Sequence, residues 1–392
     1  RVRFHLLLPI ALGLFATEAH ASESEIASVQ NNLNYLWMLC AAAMVLIMQA
    51  GFMCVECGYS RAKNSINVAV KNMSDLVIAV LAFWLVGFAL MFGDTIGGWF
   101  GSTGMASDHS SSGWNSVFFL FQAVFCGTAA TIISGTIAER SKFSSYLLIS
   151  LICSAIVYPV FGHWVWGGLF NTEQTGWLEA KGFIDFAGST VVHSIGGWVA
   201  MAAAIVVGPR LGKFNNDGTP NEIPPHNIHF IYLGSFILLF GWFGFNAGSA
   251  LQADESIAHI AVKTLLAACA GSLTTGAISL FTSKSKQPSP QQIANGCLAG
   301  LVGVTAGCAT LTTAGAVTVG LVAGVVLLLA QYFVERVLKI DDVVGAISVH
   351  GFCGVWGTLA VALLAPGEAF PLGVSRIEQL GTQALGAISA FV

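Results

Sequence analysis

Apolar runs of roughly 20 residues, the length needed to cross a bilayer, recur along most of the chain and are parted by short polar segments. They fall at about 33–57, 72–93, 116–137, 144–166, 187–208, 228–250, 258–281, 294–312, 315–334 and 346–364. Each predicts a transmembrane helix. An eleventh run, over 378–392, becomes apolar near Leu380 and stops at Val392. It is too short to span, so the sequence reads as ending inside its last helix. At the other end, Arg1 and Arg3 precede an apolar stretch from Leu6 to Phe15 and the small-x-small triplet Ala19-His20-Ala21. That pattern predicts a signal peptide over 1–21 and a mature N-terminus outside the membrane.

The polar positions orient these spans. With the N-terminus outside, the inside loops hold Arg61, Lys63, Lys71, Arg140, Lys142, Arg210, Lys213, Lys284, Lys286, Arg336 and Lys339. The outside loops and helix starts hold only Lys181, Lys263 and Arg376. Lys and Arg collect on the cytoplasmic side of membrane proteins, so the alternation supports both the span count and the topology.

Composition narrows the class. Of 392 residues, 55% are hydrophobic and 9% charged, where soluble domains run near a quarter charged. A soluble enzyme and a disordered chain are excluded. The formal net charge of -4 lacks the basic excess of a nucleic-acid binder. The 44 glycines suit close helix packing in a membrane, which is also the reading of the Gly-rich stretch from Gly300 to Gly307. Nine cysteines, an odd number, lie in or beside the apolar runs. They read as small buried residues rather than a disulfide framework. Cys54-Val-Glu-Cys57 has CxxC spacing but no second cysteine pair nearby, so it predicts neither a metal nor a redox site. No cofactor is implied.

A weak internal repeat is present. Asp185 and Asp342 each stand eight residues before a histidine, His193 and His350. Each histidine follows a valine and precedes a glycine by four, Gly197 and Gly354. The first and sixth spans share Gly51-Phe52 and Gly244-Phe245. Five spans separate the members of each pair. An odd number per unit makes the halves, 33–208 and 228–364, inverted repeats, an arrangement that places a transport site near the midplane.

Of the nine histidines, His193 and His350 stand in apolar spans at repeat-related positions. A polar group in hydrocarbon needs a partner or a pathway. Three readings are open: two separate core histidines bonded to backbone, two neutral imidazoles sharing a proton across the pseudo-two-fold, or a metal site, for which a third ligand is lacking. A second constellation is aromatic. Trp166 closes the fourth span, Phe125 sits mid-way in the third, and Phe245 and Ser249 lie in Trp242-Phe-Gly-Phe-Asn-Ala-Gly-Ser249. Singly, such residues read as interface anchors or core. Together they make a small cation site, since cation–π attraction supplies about 0.5–2 kcal/mol and a hydroxyl adds an acceptor. A pathway built this way uses π faces, a hydroxyl and imidazoles, and carries no charged side chain.

Here the residues match a family. Asp185-Phe-Ala-Gly-Ser-Thr-Val-Val-His193 and Gly241-Trp-Phe-Gly-Phe-Asn-Ala-Gly-Ser249 resemble signatures of the Amt/Mep/Rh ammonium transporters of bacterial Amt type. So do Ala138-Glu-Arg-Ser-Lys-Phe143, Gly300-Leu-Val-Gly-Val-Thr-Ala-Gly307 and Asp341-Asp-Val-Val-Gly-Ala-Ile-Ser-Val-His350. The resemblance runs from about 33 to the end of the chain. It implies an all-α polytopic fold of eleven helices, two inverted five-helix halves plus one, packed as a homotrimer with a pore in each subunit. By the same resemblance Trp166, Phe125 and Ser249 match an outer site that recruits ammonium, and Phe125 and Phe245 a stacked gate. His193 and His350 match the twin histidines of a hydrophobic pore, and Thr305 a pore-associated threonine. Asp185 matches an acidic residue of structural and electrostatic role, and an Asp at a helix start is a good cap; Asp342 is its repeat mate.

There are departures from the pattern. Gly345 stands where some members have a further Asp, so no role is carried to it. The segment between Trp166 and Asp185 is longer than usual, and the usual end of the last helix and the cytoplasmic tail are missing. The resemblance implies ammonium uptake across a bacterial inner membrane, with ammonium deprotonated near the gate and ammonia conducted past the histidines. A PII-type regulator or a fused signalling domain are the partners it suggests. The rival expectation is an ammonium-sensing membrane domain of a larger signalling protein. An Rh-like gas channel is a third, which the cation site disfavours.

Overall fold

The computed structural model describes residues 24–283 and 286–392 in full, and 7–23 by backbone alone. The signal-peptide expectation over 1–21 lies outside the fully described residues. Among the described residues the main helices are α1 (Leu7–Tyr59), α2 (Ala62–Phe92), α3 (Gly113–Thr136), α4 (Phe143–Leu169), α5 (Ser189–Val207), α6 (Ile228–Gly248), α7 (Ser256–Thr282), α8 (Pro290–Thr305), α9 (Thr313–Val337), α10 (Ile347–Leu364) and α11 (Arg376–Phe391). Among the described residues nine are long and apolar enough to cross a membrane; α8 and α11, of 16 residues each, are shorter. The chain is thus a multi-pass membrane protein, mostly helical.

The bundle is built for lipid. Leu81, Val206 and Phe281 point outward, where hydrocarbon replaces water as the solvent. The interior instead collects polar groups and small residues, as expected where packing rather than hydrophobicity joins helices. At the α5–α10 crossing a Cβ on Gly197 would stand 2.4 Å from the backbone nitrogen of Gly351. One on Gly354 would stand 2.4 Å from the carbonyl of Ser189. The repeat-related glycines therefore form reciprocal close contacts, each beside the other half's histidine.

Several boundaries differ from the periodicity: the eighth span, expected over 294–312, is α8 over Pro290–Thr305, and the first, expected from 33, lies within a longer α1. The second span was expected from 72, but α2 starts at Ala62 and carries the buried Lys71 and Asp75 inside it. Lys63, Asn64 and Lys71 hide the first turns of the helix from an apolar pattern. The last helix was expected from 378; it starts at Arg376, fixed by a capping box in which Glu378 Oε2 accepts from the Ser375 N–H at 2.8 Å and the Ser375 hydroxyl accepts from the Glu378 N–H.

The basic residues at the loop end of α1, α3 and α5 do more than mark a side. Arg210 donates to both oxygens of Asp341, at 2.8 and 2.9 Å, and to Glu139 at 3.0 Å. Arg61 also pairs with Glu139, and Arg140 donates to the Asp341 carbonyl at 2.6 Å and the Gly208 carbonyl at 2.5 Å. Burial alone would raise the Asp341 and Glu139 carboxyls, but the arginine partners outweigh it and hold both below the usual carboxylate range. At the opposite end, Lys263 was assigned to an outside helix start; it is a buried residue of α7 whose ammonium donates to the Ala309 and Leu311 carbonyls at 3.0 and 3.1 Å.

Candidate functional site

The site runs through the centre of the bundle in three layers. At the end opposite the arginine cluster, the one expected to face outward, a cavity of about 250 Å³ is lined by Phe125, Trp166 and Ser249, together with Gln122, Glu179 and Asp185. The Trp166 indole donates to the Asp185 carbonyl at 2.7 Å, which locks its ring over the cavity. The Ser249 hydroxyl donates to the Phe245 carbonyl at 2.9 Å. Its proton is thereby used within α6, and its lone pairs are left to accept from a cation. The Phe125 and Trp166 rings stand 6.3 Å apart at 68°, two π faces on one small volume.

Below this layer Phe125 stacks on Phe245, with centroids 4.0 Å apart and planes within 14°. Both rings are buried, at 1% and 0% exposure. Phe125 lines the cavity and Phe245 lies against it on the far side. Phe245 in turn stacks on His193 at 5.3 Å.

The third layer is the histidine pair. His193 lies on a π-helical turn, Ser189–Ser194, and His350 on another, Ile347–Phe352. Single π turns inside α-helices are frequent at functional sites. Asp185 and Asp342 set up these turns. The Asp185 carboxylate accepts from four backbone N–H groups, those of Gly188, Ser189, Thr190 and Val191, at 2.8–2.9 Å. Asp342 accepts from Ile347 and Ser348, and from the Thr136 hydroxyl. Burial pushes both carboxyls up to about 6, against the lowering effect of these backbone donors. The imidazoles meet Nδ1 to Nδ1 at 3.2 Å. His193 Nε2 has no hydrogen-bond partner, while Trp242 stacks on the ring at 5.0 Å and 19°.

The expected residues are thus brought together, with refinements. Thr305 stands one layer back. Its hydroxyl accepts from the Trp242 indole at 2.9 Å and donates to the Leu301 carbonyl at 2.7 Å, so it positions the ring that supports His193. The expectation of a pathway without charged side chains is corrected: Glu179 and Asp185 line the outer cavity, and Glu56 lines a small cavity beneath His350. For the metal reading of the histidines, Cys353 stands three residues after His350, but its thiol is turned to the Ala323 carbonyl at 3.6 Å.

Motif reading assigns no role to Glu56, Gln122 or Trp242, although Trp242 and Glu56 stand within motifs. Gln122 had a signal, since it stands three residues before Phe125 on the same helix face. Glu56 had none of that kind, because it sits inside the CxxC spacing and draws attention only once its burial is known.

The family model described as the Ammonium Transporter Family matches residues 36–392. The chain is 42% identical over 375 residues to ammonium transporter Amt2 of Archaeoglobus fulgidus, covering 93% of this chain and 78% of that one. It is 46% identical over 362 residues to a chain of Synechocystis sp. whose name marks it as a candidate ammonium transporter, covering 91% of this chain. The match spans 66% of the length of that relative. Among solved structures, one named Sensor Amt Protein superposes with a TM-score of 0.90 at 46% identity, covering 93% of this chain and 91% of that one.

Proposed function

We infer, from the premise that the chain belongs to the ammonium transporter family, that it takes up ammonium across a bacterial inner membrane. Ammonium binds in the outer cavity between Trp166, Phe125 and Ser249, gives up a proton near the Phe125–Phe245 gate, and passes as ammonia along His193 and His350. The two halves, 33–208 and 228–364, act as inverted repeats around this path, and a homotrimer carries three such paths. The aromatic end faces outward, together with the mature N-terminus.

Desolvation motivates the order of steps. A monovalent ion loses most of its hydration in a narrow apolar passage, at a cost of several kcal/mol. Potassium has no proton to give and must bear that cost throughout. Ammonium escapes it by becoming neutral. The outer site offsets part of the initial loss, since cation–π contacts contribute about 0.5–2 kcal/mol when desolvated. Glu179 and Asp185 beside it add an attractive field.

The observation that carries this reading is the column itself: Phe125 on Phe245 at 4.0 Å, Phe245 on His193 at 5.3 Å, and His193 bonded to His350 at 3.2 Å. Each contact continues the one above it, so whatever leaves the outer cavity meets the imidazoles next. Reconstituted liposomes test it. An inward ammonium gradient should drive uptake that an equal potassium gradient does not. Absence of uptake by the intact chain would favour a sensing role for the same outer site.

A further inference from the structure

We propose that Glu56 receives the proton at the inner end of the pore and passes it to the vestibule beyond. Conduction then amounts to net movement of ammonium rather than of ammonia alone. This rests on the transport reading above and assigns the fate of its proton.

Glu56 is 2% exposed and lines a cavity of about 20 Å³ together with His350, Phe52 and Asn295. Such a space holds about one water molecule. The carboxylate is aimed rather than loose. Asn72 Nδ2 donates to Glu56 Oε2 at 2.9 Å, and the Thr131 hydroxyl donates to Asn72 Oδ1 at 3.0 Å. Room for it is left by Gly135, where a Cβ would stand 3.4 and 3.5 Å from Glu56 Cγ and Cδ and 2.6 Å from Val344.

A second observation points the same way. Asn295 is 3% exposed, and its Oδ1 has no hydrogen-bond partner. It lines both the small cavity and the inner vestibule of about 320 Å³. The cavity under His350 therefore has a polar doorway to the vestibule, with an acceptor unspent. The other ionisable groups nearby are engaged elsewhere. Lys71 is buried and donates to Ser141. Asp75 accepts from Gln49 at 2.6 Å and from the Tyr146 hydroxyl. Lys71 thus balances the charge of Glu56 without locking it into an ion pair. A buried acid on a membrane helix needs a partner or a pathway, and the amide that Asn72 donates to it is neutral.

The step balances. The N–H bond that ammonium breaks near the gate is replaced by an N–H bond on the histidine pair; the pair then gives up a proton from His350, an N–H bond breaks, an O–H bond forms on Glu56, directly or through one water, and the imidazoles return to neutral. Glu56 then releases the proton to vestibule water, where ammonia takes it up and forms ammonium. One ammonium has crossed, and both groups are restored.

The test uses the full chain in proteoliposomes with two readouts: charge moved on an ammonium jump, and internal alkalinisation by ammonia. Wild type should show charge movement with little alkalinisation, because the proton crosses with the ammonia. Glu56→Gln, which keeps the shape and the Asn72 contact, should lose charge movement about a hundredfold while alkalinisation appears. Glu56→Asp should recover part of the current. A wild-type-sized current in Glu56→Gln overturns the proposal. Loss of both readouts in Glu56→Gln, or alkalinisation without charge in wild type, also overturns it and leaves the transport reading standing. Silence of wild type in both readouts overturns the transport reading itself.

Discussion

The Nδ1 atoms of His193 and His350 lie 3.2 Å apart. At that distance one nitrogen donates and the other accepts, so the pair holds a single proton between its facing nitrogens. A second proton there would set N–H against N–H. The geometry makes each imidazole the natural acceptor for the other's proton, in a part of the bundle where no water shell competes.

The outer cavity should govern affinity more than speed. Trp166→Leu removes one π face while Phe125 remains. A loss of about 0.5–2 kcal/mol of cation–π attraction corresponds to a rise in half-saturating ammonium of roughly 2- to 30-fold. Ser249→Ala should act in the same direction by removing the lone pairs that Ser249 offers. Uptake rate against ammonium concentration measures both, and an unchanged half-saturation in Trp166→Leu counts against recruitment there.

The crossing of α5 and α10 should tolerate no side chain at its closest point. In Gly197→Ala the new methyl would stand 2.4 Å from the Gly351 nitrogen. Overpacking of this kind costs about 1–3 kcal/mol, and the displacement falls on the residue next to His350. A lower melting temperature and a larger loss of flux are both expected. Gly381→Ala, in α11 with nothing within 4 Å of the added methyl, is the control. It should be neutral or slightly stabilising, because alanine favours helix over glycine.

Acid stability should follow the arginine cluster. Asp341 and Glu139 are held below the ordinary carboxylate range by Arg210 and its neighbours. A depressed carboxyl contributes stability that is present above its unfolded value, near 4, and lost as pH falls through its folded value. The cluster's contribution should therefore be flat from about pH 5 upward and fade below about pH 4. Arg210→Met leaves the buried Asp341 without its main partner and Glu139 with Arg61 alone, at a cost of about 3–5 kcal/mol near neutral pH. Burial would then raise those carboxyls, so the deficit should shrink as pH falls. Melting temperature against pH for the two proteins checks the sign.

Much of the site was legible because a bilayer leaves few choices. Ten apolar runs of spanning length stand out, and a histidine inside one is conspicuous. The repeat of Asp, Val, His and Gly located His193 and His350 together with the glycines that let them approach. What escaped were polar residues whose partners are distant in sequence. Lys71 broke the apolar pattern of α2 and shifted its apparent start. Arg61, Arg140 and Arg210 scored as topology markers, since nothing local links Arg210 to Asp341, 131 residues away. Glu56 was concealed by the cysteines on either side. Burial of charge is a tertiary property, and periodicity does not report it.

The most direct measurement of the central claim is ammonium uptake by liposomes bearing the wild type, His193→Ala and His350→Ala, each against a matched potassium gradient. The predicted result is ammonium-selective uptake by the wild type, with flux or selectivity sharply reduced in both variants although Trp166, Phe125 and Ser249 are intact. Undiminished and still ammonium-selective uptake in both variants would contradict the twin-histidine path.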